Sequence, residues 1–60
     1  MKNYRIWKQE NNEDELLVEV FNECDILSIQ KEFTEKGYKI DYCFKGLVHT
    51  FIKVINVLNF

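Results

Sequence analysis

LVHTFIKVINVLNF, residues 47–60, decides the fold of this chain. At helical spacing Leu47, Val48, Phe51, Ile52, Ile55 and Leu58 share one face, with His49, Thr50, Lys53 and Asn56 on the other. Intrinsic preference pulls the other way. Val48, Thr50, Ile52, Val54, Ile55 and Val57 are β-branched, and Lys45-Gly46 supplies a tight turn just ahead of them. We read the stretch as a strand returning along residues 38–44, with a helix as the competing reading. Such a strand overruns its partner and leaves several residues at a sheet edge, a device for pairing with a second chain.

Upstream the pattern is clearer. Tyr38, Ile40, Tyr42 and Phe44 alternate with Lys39, Asp41, Cys43 and Lys45, the period-2 pattern of a strand with one apolar face. Between Asp25 and Lys36, Ile26, Ile29 and Phe33 recur at helical spacing with Leu27 beside them, and Gln30, Lys31, Glu32 and Glu35 fall opposite. Asn22 or Asp25 can cap that helix, and Gly37 suits a left-handed residue past its end. Residues 2–8 (KNYRIWK) and 16–22 (LLVEVFN) read as strands, the second with Leu16, Val18 and Val20 on one face. The intervening QENNEDE reads as a solvated hairpin loop. The expected architecture is α+β: an antiparallel sheet with one helix packed on a face, β-β-α-β-β, with β-β-α-β-α as the alternative. One helix covers one face, so Trp7, Leu17 and Phe21 are expected on the uncovered side.

The chain has 60 residues, room for a single small domain with a marginal core. Its hydrophobic fraction of 47% and charged fraction of 30% are those of a folding chain. The N-terminal residues lack the apolar run of a secretory leader, and the most apolar stretch is interrupted by His49, Lys53 and Asn56, so a cytoplasmic, non-membrane location is expected. Ala and Pro are absent, Arg5 is the one arginine, and Phe, Tyr, Met, Ile, Asn and Lys make up 28 of the 60 residues, a bias that fits an AT-rich bacterial or phage genome. Cys24 and Cys43 show no metal-ligand spacing and read as reduced, mostly buried thiols.

Catalytic chemistry is poorly supplied. His49 is the single histidine, and no motif puts a nucleophile beside it. Glu13, Asp14 and Glu15 fall in a segment read as solvated, where nothing would raise a carboxyl pKa. Two isolated glycines build no phosphate loop. A non-enzyme without cofactor or metal is expected.

Charge segregation is the stronger signal. The formal charge is −2, yet Gln9–Gln30 holds seven acids and no Lys or Arg, and the rest holds eight basic residues against three acids. One reading makes the acidic hairpin and adjacent aromatics a binding surface for a basic protein partner, such as a host nucleic-acid-processing enzyme, with Trp7, Glu10, Glu13, Asp14, Glu15, Glu19 and Phe21 as contacts. The chain would then be a regulator or inhibitor, phage- or mobile-element-encoded and homodimeric. The alternative is a nucleic-acid module in which Lys2, Arg5, Lys8, Lys31, Lys36, Lys39, Lys45 and Lys53 join Tyr4, Trp7, Tyr38 and Tyr42 on a basic, aromatic sheet face. Scattered lysines read bases weakly, and charge favours the protein partner.

Overall fold

The computed structural model describes residues 4–9 and 12–57, and for residues 8, 9, 12 and 13 it describes the backbone alone. Four strands and one helix follow in the order β1 (Tyr4–Gln9), β2 (Asn12–Val20), α1 (Ile26–Glu35), β3 (Tyr38–Lys45) and β4 (Thr50–Asn56), with a 3₁₀ turn at Glu23–Asp25 before α1. This is the β-β-α-β-β succession, with one helix against one face of a wholly antiparallel sheet. The last segment is a strand because its β-branched run outweighs its helical spacing.

Its position differs from the expectation. The spatial order is β1-β2-β4-β3, so β4 is interior and among the described residues it forms no overhanging edge. The reason lies in the crossover: α1 carries the chain past a gap one strand wide, and the hairpin return brings β4 into it, where β4 gains hydrogen bonds on both sides. The turn also sits further on. Gly46 N–H donates to His49 C=O at 2.8 Å, leaving Leu47 and Val48 as an exposed tip. A methyl on Gly46 would lie 2.8 Å from Phe51 Cε2, so glycine lets the turn close against that ring.

The core follows from strand parity. Leu16, Val18 and Val20 of β2, Ile52 and Val54 of β4, and Ile29 and Phe33 of α1 form one buried cluster, with Tyr4, Ile26, Tyr38 and Ile40 packed on it. Phe33 takes Tyr4 and Tyr38 edge-on, each at 5.7 Å between ring centroids. Asn22 accepts from Cys24 N–H and caps the 3₁₀ turn, whereas Asp25 makes no capping bond. Gly37, at φ 99°, ends the helix as its lack of Cβ allows. Leu27 departs from expectation at 79% exposed, because one residue of helix rotates about 100° and carries it off the apolar stripe.

Two further expectations fail. The acidic run is not a loop: β2 begins at Asn12, so Asp14 and Glu15 are strand residues, Glu15 half-buried opposite Ile55. Pairing with β4 continues the ladder to Glu15 and draws those acids into the sheet. Cys24 and Cys43 are free as expected but exposed rather than buried. Cys24 lies in the 3₁₀ turn, and Cys43 lies on the outer strand β3, opposite Ile52 but at the sheet margin, where Gln30 donates to its Sγ.

Candidate functional site

Residues directly opposite across an antiparallel ladder point to the same face. Arg5 pairs with Glu19, Glu19 with Phe51, and Phe51 with Phe44. One row along, Trp7 pairs with Leu17, Leu17 with Lys53, and Lys53 with Tyr42. All eight lie opposite to the helix-covered Leu16, Val18 and Val20. Together they form the open face of the sheet.

Tyr42 and Phe44 reach this face through a bulge. The register slips between Ile40 and Tyr42, and Asp41 is the residue left over. Tyr38 and Ile40 therefore point to the helix, while Tyr42 and Phe44 point away from it. This corrects the expectation that all four share one side. The consequence is an aromatic run: Phe44 stacks on Phe51 at 5.1 Å and 10°, Tyr42 lies 6.0 Å from Phe44, and Trp7, Tyr42 and Phe44 are each exposed by more than a third.

A polar network organises the other end. Trp7 Nε1–H donates to Glu19 Oε1 at 3.1 Å, and His49 Nδ1 stands 2.6 Å from Glu19 Oε2. An ionised carboxylate has no proton to give, so Nδ1 carries it and donates. Phe21 meets the His49 ring edge-on at 4.8 Å, and the Arg5 guanidinium stands 5.2 Å from the centre of the Trp7 ring. The Trp7 hydrogen bond, then that of His49, holds the Glu19 carboxyl below the usual 4.5. With its pKa depressed on folding, Glu19 stabilises the native state above the unfolded value, and that contribution disappears as pH falls through the folded value. The Glu19→Gln variant should therefore be less stable than wild type at neutral pH, and the difference should shrink at acid pH, below the ordinary glutamate value. Urea midpoints at the two pH values check this, and a pH-independent difference would contradict it.

Of the contacts expected from sequence, Trp7, Glu15, Glu19 and Phe21 gather on this face or at its rim. Asp14 has the parity of Leu16 and lies on the helix side, while Glu10 and the Glu13 side chain lie outside the described residues. The basic, aromatic set is also divided, because Tyr4 and Tyr38 pack on the core while, among the described residues, Arg5, Lys39 and Lys53 join Trp7 and Tyr42 on the open side. The expected protein-contact set lacks Tyr42, Phe44, Phe51 and Lys53; Tyr42 and Lys53 belong to the nucleic-acid alternative, and Phe44 and Phe51 to neither. A β-bulge has no pattern of its own in a strand that alternates without a break.

Elsewhere, an open groove of about 390 Å³ follows α1 past Ser28, Lys31, Glu32 and Glu35. Glu32 there accepts from the Tyr4 hydroxyl at 2.7 Å, and that bond, then burial, raises the Tyr4 pKa. Among the described residues no three His, Cys, Asp or Glu side chains gather as metal ligands, and no helix is long and apolar enough to cross a membrane. Compared with protein families, with characterised proteins and with solved structures, the chain matches none of them.

Proposed function

We propose that the chain is a small protein-binding module, a cytoplasmic regulator or inhibitor without enzymatic activity, that docks a partner protein on the open face of its sheet. The carrying observation is the exposed band of Trp7, Tyr42 and Phe44 on a face with no second layer among the described residues. Large aromatic side chains clustered on one surface mark interfaces, and rings already braced by neighbours lose little freedom on binding. Glu15 and Glu19 stand on this face, so the partner carries a basic surface around an apolar centre. Arg5, Lys39 and Lys53 on the same face favour a second reading, single-stranded nucleic acid. Glu15 and Glu19 on that face oppose it by repelling phosphate.

The test compares immobilised wild type, Tyr42→Ser and Leu27→Ser in a nuclease-treated lysate of a low-GC bacterium. A partner protein should be held by wild type and Leu27→Ser and reduced about tenfold or more by Tyr42→Ser. Equal capture by all three, or capture that nuclease abolishes, refutes the reading.

A further inference from the structure

The two edges of the sheet are unlike. β3 is interrupted in mid-strand by the Asp41 bulge, a device by which sheets keep an edge from pairing. β1 runs regularly against β2 from Tyr4 to Lys8, and among the described residues no strand occupies its outer side. Ile6 and Trp7, successive residues on opposite faces of that edge, are 41% and 46% exposed. Ile6 points to the helix side, but α1 packs mainly toward β3 and leaves it half-exposed. Apolar surface therefore borders the free hydrogen-bonding row of β1 above and below.

We infer that β1 is a self-association edge: two copies pair β1 to β1, antiparallel about a two-fold axis at Ile6, and so continue one sheet through both. Symmetry limits the registers, because an isologous contact must map each residue pair onto itself. An axis at Arg5 would set two guanidiniums directly opposite, which is destabilising. An axis at Trp7 shifts the overlap toward the irregular end at Lys8/Gln9. The axis at Ile6 keeps residues 4–8 paired, sets Ile6 against Ile6, and places each Arg5 opposite the Trp7 of the second copy. That is the guanidinium–indole combination already formed within one chain. Helices then lie on one side of the dimer, and the two open faces join with their Trp7 residues beside the axis. The inference stands on the edge alone and is independent of what the open face binds.

Sedimentation equilibrium on the full chain tests it with wild type, Ile6→Lys, Ile6→Glu and an equimolar mixture of the two variants. Wild type should be a concentration-dependent dimer. Like charges meeting on the axis should raise the dissociation constant of each variant by about tenfold or more. The mixture should recover dimer, because lysine then faces glutamate, and a variant that failed to fold could not give this recovery. A wild type monomeric to about millimolar concentration overturns the inference, since even weak specific association appears there. Dimers that persist in both variants, or a mixture that stays monomeric, overturn it equally.

Discussion

Phe33→Ala should leave the chain unfolded or on the edge of unfolding at room temperature. Phe33 is 2% exposed, and it is the side chain through which α1 holds both outer strands, with Tyr4 of β1 and Tyr38 of β3 edge-on to its ring. Removing a buried phenyl ring costs about 3–5 kcal/mol, from lost transfer energy and from the cavity left behind. A domain of this length holds only about 3–9 kcal/mol in total, at about 0.05–0.15 kcal/mol per residue. The loss is comparable to the whole. Tyr4 would also lose the packing that aims its hydroxyl at Glu32. Far-UV circular dichroism on heating and the dispersion of amide resonances measure the result. Leu27→Ala, on the solvent side of the same helix, should stay within about 0.5 kcal/mol of wild type. A cooperative Phe33→Ala melt within a few degrees of wild type would show that the sheet holds itself together without the helix.

The layered design was readable because period and face agreed over most of the chain. Ile26, Ile29 and Phe33 predict α1, Leu16, Val18 and Val20 predict the buried side of β2, and β-branching settles residues 50–56 as a strand. Three things were hidden, for separate reasons. Strand order is non-local: the β3–β4 hairpin is written in adjacent residues, but the insertion of β4 beside β2 depends on packing between distant segments. The acidic run Asn12–Glu15 looked like loop because charge was read as solvation, whereas its strand form comes from pairing. The bulge at Asp41 altered the site most, since one unpaired residue moves Tyr42 and Phe44 to the face that Trp7 already occupies. Alternation names Trp7 and Phe21 and charge names Glu19; Tyr42 and Lys53 appear only in the basic, aromatic alternative, and Phe44 and Phe51 in neither.

Lys53 marks where the two halves meet, and its replacement by aspartate should be among the most damaging single changes on the open face. It is 7% exposed in the interior strand β4, with Leu17 opposite on one side and Tyr42 on the other. A lysine tolerates such a place where its four-carbon stem lies along apolar neighbours and its ammonium keeps water or a polar partner. Among the described residues no buried side-chain nitrogen or oxygen lacks a partner, which that condition requires. Aspartate cannot do the same. Its carboxylate would be held one carbon from the backbone among Leu17, Tyr42 and Phe51, desolvated and with the stem's packing gone. We expect Lys53→Asp to cost about 3 kcal/mol or more, through an uncompensated buried charge and a local void. Lys53→Met keeps the stem and removes the charge, so its stability should remain within about 1 kcal/mol of wild type. That second variant carries the functional content, because it turns two apolar patches separated by an ammonium into one continuous patch, which favours non-specific association. Urea midpoints rank the three proteins, and light scattering at matched concentration follows association. Lys53→Asp as stable as wild type would mean that β4 has water along its open side, and the face would then be no docking surface at its centre.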